Sequence, residues 1–289
     1  MTNLIFTTNS EHLGKILQKK IDSKKFKIFF LDKNRDKKRY FPDGEIYVRL
    51  GKIKEIKGKI IIIHSGMPRA NDSFLELKMT LNILRNNNLK NIEVFFTYFA
   101  FGMQDCIKDI GEGNVAENII KELINYYKIK KIYTIDAHFW GRNWVNNYKI
   151  KNFRTIDLLK EKALENELDY VFLTPDLGAQ RRTGLLGSSK KRNNSYDLDI
   201  DFSDDLKKLV KNKNIAVVDD LLETGGTLIR FYEKCKKLGA KKIIALITHG
   251  VLESGIKKIK NNFDFLYLTN TINQRESNVC ISDFILNKL

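Results

Sequence analysis

Short apolar runs rich in Ile, Val, Phe and Tyr alternate along the chain with longer stretches whose apolar residues recur at i, i+3, i+4 and i+7. The first pattern reads as buried strands and the second as amphipathic helices. Strands are predicted at KIFFL around Phe29, GEIYVRL after Gly44, KIIIIH ending at His64, IEVFFTY ending at Tyr98 and KIYTID ending at Asp136. Three more follow, at YVFLTPD ending at Asp176, IAVVDD ending at Asp220 and IIALITH ending at His249. Helices are predicted around Met79, Ile119 and Phe231, the last of them stopped by Gly239 acting as a C-cap residue. Strand, helix, strand in this order describes βαβ units and a largely parallel sheet.

The stretch from Lys59 reads strand, loop, helix, basic turn, strand and then a glycine-bearing loop, and the stretch from Asn214 reads the same way. Thr97 and Thr248 fall at matching places, about half the chain apart. Any two βαβ units share this outline, but that spacing favours duplication of one α/β domain. The expected fold class is α/β, with two tandem domains, each a mainly parallel sheet flanked by helices. We place the domains at 1–145 and 146–289, with the last strand free to return to the first domain. No linker rich in Gly, Pro or Ser marks the boundary.

Composition narrows the partners. The chain has 289 residues, 43% of them hydrophobic, and only 3 Pro, which excludes a disordered or collagen-like protein. With 51 Lys and Arg against 35 Asp and Glu, the net charge is +16, so an anionic partner is expected. Charge alone leaves open nucleic acid, membrane phosphate and small phosphorylated metabolites. The 3 cysteines are widely spaced and form no C-x-x-C pair, which argues against a disulfide framework or a zinc ribbon and for a reduced compartment. No apolar run is long enough to span a bilayer, and no secretory signal is visible, so a soluble, cytoplasmic protein is expected.

The segment VVDDLLETGGT at 217–227 carries the most chemistry. It joins a buried strand to a helix, where open α/β sheets place their ligands. Gly225 and Gly226 permit a tight turn that brings backbone N–H groups to a ligand, and Thr224 and Thr227 add hydroxyl donors at a helix start that favours anions. Asp219 and Asp220 repel a phosphate but accept hydrogen bonds from vicinal hydroxyls, or hold Mg²⁺. A phosphate cradle beside hydroxyl acceptors describes a ribose 5-phosphate. A lone TGGT would read as an ordinary N-capped turn. An apolar strand, two acids, a spacer and TGGT in one unit is more specific, and no Walker Gly-Lys-Ser/Thr follows.

This segment resembles the phosphoribosyl-binding motif of the phosphoribosyltransferase fold group. The chain as a whole resembles the ribose-phosphate pyrophosphokinase family, and its compact length is similar to the short archaeal members. The resemblance rests on seven ordered landmarks: FPDGE at 41–45, TYFAFGMQD at 97–105, GEGNV at 111–115, DAH at 136–138, TPDLG at 174–178, KKR at 190–192 and VVDDLLETGGT. It implies two phosphoribosyltransferase-type domains, and transfer of the β,γ-pyrophosphoryl group of MgATP to the 1-hydroxyl of ribose 5-phosphate, releasing AMP.

By the same resemblance Asp219, Asp220, Glu223, Thr224, Gly225, Gly226 and Thr227 bind ribose 5-phosphate, and His138 and Asp176 hold the Mg²⁺ of MgATP. Lys190 and Arg192 stand in a polar stretch that reads as a flexible loop, and the resemblance makes them the transition-state cations. FPDGE alone reads as a hairpin tip, and the resemblance gives Phe41, Asp43 and Glu45 to adenine recognition from a neighbouring subunit, hence at least a homodimer. Met103, Gln104 and Asp105 are assigned to ATP. Met103 departs from the family, which has Arg before Gln-Asp, and Glu223 stands where Asp is usual.

Met103 motivates an alternative, a non-catalytic or regulatory paralogue, and a phosphoribosyltransferase is another. Retention of the metal and loop residues argues against the first, and the doubled domain with FPDGE against the second. No nucleic acid or membrane is expected as a partner. His64 reads as strand-end packing or as a neighbour of the nucleotide, and His249 carries no catalytic role.

Overall fold

The computed structural model describes residues 1–165, 168–192 and 198–289. The chain forms two compact units, Met1–Phe153 with Thr271–Asn273 and Ile281–Leu289, and Arg154–Asn270 with Gln274–Cys280.

The first unit holds six strands, β1 (Thr2–Phe6), β2 (Phe26–Phe30), β3 (Lys59–Ser65), β4 (Ile92–Tyr98), β5 (Ile132–Ile135) and β6 (Ile150–Phe153), in the order β2-β1-β3-β4-β5-β6. Every pairing is parallel. A parallel sheet is covered on both faces, so its central strands read as unbroken apolar runs. Accordingly, Ile60, Ile61, Ile62 and Ile63 of β3 are all 0% exposed. The helices are α1 (Glu11–Leu17), α2 (Ala70–Asn86) and α3 (Val115–Asn125). Leu77, Leu81 and Leu84 of α2 and Ile119, Ile120 and Leu123 of α3 join Ile60, Ile62, Val94 and Ile132 in one core. Elsewhere in the sheet Phe95, Tyr133 and Phe153 stack at 5.7 to 5.9 Å. Phe284, from the last helix of the chain (Ser282–Leu286), meets Phe153 edge-on at 6.3 Å.

The second unit runs α4 (Ile156–Leu164), β7 (Val171–Leu173), α5 (Leu177–Thr183), β8 (Ser189–Arg192), β9 (Leu198–Asp201), α6 (Asp204–Val210), β10 (Ile215–Leu222), α7 (Gly226–Lys237), β11 (Ile243–Gly250), α8 (Glu253–Asn262) and β12 (Phe265–Leu268). Its sheet is parallel, in the order β12-β11-β10-β7. Alternate residues of β10 enter different cores: Val217 joins Phe231, Ile247 and Ile259, while Val218 joins Leu159 and Leu246. Thr97 and Thr248, matched in the sequence repeat, both stand near the C-terminal ends of their strands, β4 and β11.

Two sequence expectations fail here. GEIYVRL forms no strand, only isolated antiparallel bridges, Tyr40 to Ile46 and Asp32 to Arg49. Its partner is the polar segment 32–40, and its apolar side chains turn to the core instead, with Leu50 joining it and Val48 packing against it. The polar stretch expected to be a loop is partly a strand: Ser189–Arg192 pairs antiparallel with Leu198–Asp201. Ladder hydrogen bonds join backbone groups, so a strand can form where side chains show no apolar period.

Candidate active site

In the second unit the site forms where β10 runs into α7. Gly225 takes φ +73° and serves as the N-cap of α7, and no side chain caps that helix. Its leading N–H groups are therefore left to a ligand. The turn is clamped from beneath. A Cβ on Gly225 would lie 3.2 Å from Ile259, and one on Gly255 would lie 1.7 Å from the Glu223 carbonyl oxygen. Thr224 is exposed, and Glu223 and Thr227 are half-buried. The loop thus presents hydroxyls and amides over an apolar base.

Asp219 and Asp220 lie near the C-terminal end of β10, just upstream of this loop. The Asp220 N–H donates to Asp219 Oδ1 at 3.0 Å. Arg182 of α5 donates from both Nε and Nη2 to Asp220 Oδ1, at 2.9 and 2.7 Å, and its Nη2 stands 4.0 Å from Asp219 Oδ1. Burial and the adjacent Asp220 carboxylate raise the Asp219 carboxyl well above the usual carboxylate range, with Arg182 opposing. Asp176 follows β7 and is the N-cap of α5, its Oδ1 accepting the Ala179 N–H at 2.9 Å. Its charge also acts on Asp219, so these three carboxylates and Arg182 form one electrostatic group. Sequence reasoning missed Arg182, because a cation in the last turn of a helix reads as an ordinary partner of the helix dipole.

In the first unit FPDGE is a hairpin tip. The Gly44 N–H reaches Phe41 O at 3.0 Å, the Phe41 N–H reaches Glu45 O at 2.8 Å, and Gly44 takes φ +93°. Phe41 meets Tyr47 edge-on at 5.7 Å and remains 42% exposed. Asp43 and Glu45 are exposed beside it, and Asp43 Oδ1 accepts the Glu45 N–H at 3.1 Å.

Met103 and Gln104 follow β4 and line a cavity of about 320 Å³ with Cys106, Lys108, Glu112, Gly113 and Val115. Met103 is 49% exposed. Asp105, next in sequence, is buried. Arg142 grips its carboxylate with two hydrogen bonds, at 2.8 and 2.9 Å, and Trp144 Nε1 donates to its carbonyl at 3.0 Å. The Arg142 guanidinium is held still more firmly protonated by that carboxylate. Arg142 was not visible as a site residue, since its partner lies 37 positions away.

His138 follows β5 and is half-buried, with its Cβ 3.6 Å from where a Cβ on Gly102 would sit. The loop carrying it is braced by Asn152 Oδ1, which accepts from Thr134 Oγ1 at 2.8 Å and from the Ala137 N–H at 2.9 Å. The ends of β4 and β5 therefore bring His138 beside the glycine that precedes Met103. His64 is buried instead. Thr7 Oγ1 lies 3.0 Å from its Nδ1 and Ser73 Oγ 3.4 Å from its Nε2, and burial lowers its pKa to about 3. Lys190 and Arg192 occupy alternate places of β8, opposite Ile200 and Leu198.

Comparison with known proteins places this arrangement. The first part of the chain matches the N-terminal domain of ribose phosphate pyrophosphokinase over residues 5–125. The second matches the phosphoribosyl transferase domain over residues 165–279. The ribose-phosphate pyrophosphokinase of Pyrococcus furiosus is 30% identical, in an alignment covering 86% of this chain and 90% of that protein. The chain belongs to the ribose-phosphate pyrophosphokinase family. The ribose-phosphate pyrophosphokinase of Mycoplasma genitalium is 29% identical over 88% of this chain and 85% of its own. A crystal structure of phosphoribosylpyrophosphate synthetase from Mycobacterium smegmatis superposes with a TM-score of 0.76, covering 100% of this chain and 97% of that one at 19% identity, and shows a shared fold. Among the described residues no helix is long and apolar enough to cross a membrane.

Proposed function

We propose that this chain transfers the β,γ-pyrophosphoryl group of MgATP to the 1-hydroxyl of ribose 5-phosphate, forming phosphoribosyl pyrophosphate and AMP. The observation that carries this reading is the end of β10. Two carboxylates stand near the end of β10, a few residues before an uncapped, glycine-bearing turn that opens α7. The turn and the hydroxyls of Thr224 and Thr227 bind the 5-phosphate, and Asp219, Asp220 and Glu223 accept from the ribose hydroxyls. Lys190 and Arg192 neutralise charge developing on the transferred phosphoryl oxygens.

Phe41 stacks on adenine, and Asp43 and Glu45 accept from its amino group. They do so from a neighbouring subunit, so the working enzyme is at least a homodimer. Their exposure at a hairpin tip supports that role. Gln104 and Met103 border the nucleotide. Asp105, fully engaged by Arg142, contributes by bracing the segment that presents them.

Asp176 and His138 would hold Mg²⁺. Among the described residues no three His, Cys, Asp or Glu side chains gather to hold a metal ion. A strand-end carboxylate that would share the ion with nucleotide phosphates fits Mg²⁺, which takes few protein ligands in phosphoryl-transfer sites. When bound, the ion supplies charge neutralisation along the triphosphate. The test is incubation with ribose 5-phosphate and MgATP. AMP and phosphoribosyl pyrophosphate should appear in equal amounts, and ADP alone would refute the reading.

A further inference from the structure

We propose that Arg182 is a positioning residue that orients the paired carboxylates for the sugar, fixing the Asp220 carboxylate by two hydrogen bonds and placing its charge beside Asp219. The inference rests on the reading of this loop as the ribose 5-phosphate site. Its basis is the set of contacts around one guanidinium. Arg182 Nε and Nη2 both end on one oxygen, Asp220 Oδ1, at 2.9 and 2.7 Å, and Nη2 also stands 4.0 Å from Asp219 Oδ1, which accepts the Asp220 backbone N–H at 3.0 Å. Arg182 therefore fixes the Asp220 carboxylate directly and sets its positive charge beside the neighbouring Asp219 oxygen. The contact is well shielded, with the side chains of Arg182, Asp220 and Asp219 only 17%, 5% and 14% exposed.

A buried ion pair adds little net stability, because desolvating both charges offsets their attraction. Its position at the mouth of a ligand loop is better explained by orientation, which binding sites require to within a fraction of an ångström. The guanidinium suits this role, since its planar fork sets direction as well as charge, whereas a Lys ammonium supplies a single point charge. Space is made for it: a Cβ on Gly178 would stand 3.2 Å from Arg182 Nη1 and 3.1 Å from Asp176 Oδ1. Arg182 thus lies between the helix cap at Asp176 and the end of β10.

The test compares the full-length parent, Arg182→Ala and Arg182→Lys. Loss of an outer partner that orients a ligating group costs about 10- to 100-fold at metal sites, and the same scale is expected here. Arg182→Ala should raise the KM for ribose 5-phosphate by that factor while leaving the KM for MgATP within about twofold. Arg182→Lys should fall between parent and Ala, and it keeps the test open if the Ala variant does not fold. Added guanidinium should recover part of the lost affinity in Arg182→Ala and none in the parent. Parental KM values for ribose 5-phosphate in both variants would overturn the inference. An equal rise in both KM values with a lowered Tm and no guanidinium rescue would overturn it too, since that pattern is general loosening. If the parent releases no AMP, the functional reading fails separately, and calorimetric binding of ribose 5-phosphate to the same three proteins still decides the role of Arg182.

Discussion

Gly255→Ala tests whether α8 clamps the loop that is proposed to bind ribose 5-phosphate. In the first turn of an ordinary exposed helix this change would stabilise by about 0.5–1 kcal/mol, because Ala loses less backbone entropy. Here the new Cβ would lie 1.7 Å from the Glu223 carbonyl oxygen, 2.8 Å from its carbon and 3.1 Å from the Thr224 carbon. All three are backbone atoms, so no side-chain rotation relieves the clash. Restoring ordinary contact requires α8 and the 223–225 turn to part by roughly 1.5–2 Å. With no side chain able to give way, the cost falls in the upper part of the usual overpacking range, about 2–3 kcal/mol, leaving a net loss of about 1–2.5 kcal/mol after the helix gain. That corresponds to a fall in Tm of about 3–8 °C by calorimetry. The displaced turn should also weaken ribose 5-phosphate binding about tenfold while leaving nucleotide binding unchanged, because the clash lies wholly within the second unit. A variant with parental or higher Tm and unaltered sugar-phosphate affinity would refute the clamp.

Three further outcomes follow from the same geometry. His64 is buried and neutral, with a pKa near 3 against an ordinary 6.5, so the unfolded chain takes up a proton that the folded chain refuses. Its contribution is intact above pH about 6.5 and is lost as pH falls toward 3; between pH 6.5 and 4.5 the loss is about 2 kcal/mol. The difference in unfolding free energy between the parent and His64→Gln across that window should show this slope, and parallel curves would count against it. Met103→Arg should lower the KM for ATP about fivefold, the worth of one half-exposed cation–phosphate contact of about 1 kcal/mol. An unchanged or raised KM would show that the cavity at 103–115 does not face nucleotide. Lys190→Ala should cut kcat about 10²- to 10³-fold with both KM values within a few-fold, as expected of a contact made in the transition state. A loss confined to KM would assign Lys190 to ground-state binding.

The central strands were legible because a buried parallel sheet writes itself as runs such as 60–63, and α2, α3 and α7 because their apolar stripes are long. β6, Ile150–Phe153, was not, because Lys151 and Asn152 interrupt its apolar run at the edge of the sheet. The loop proposed to bind phosphate could be singled out because its residues are contiguous, from Asp219 to Thr227. Arg182 and Arg142 were not, since each acquires meaning only from a carboxylate brought near by folding, 38 and 37 positions away. For Asp105 the motif and the geometry point to different work. Its place beside Gln104 implied a ligand contact, whereas its buried carboxylate spends both oxygens on Arg142.

The most direct measurement follows phosphorus. With ATP labelled separately at the β and γ positions and ribose 5-phosphate as acceptor, both labels should move together to the sugar, leaving unlabelled AMP. Transfer of the γ label alone, with ADP retaining the β label, would contradict the account.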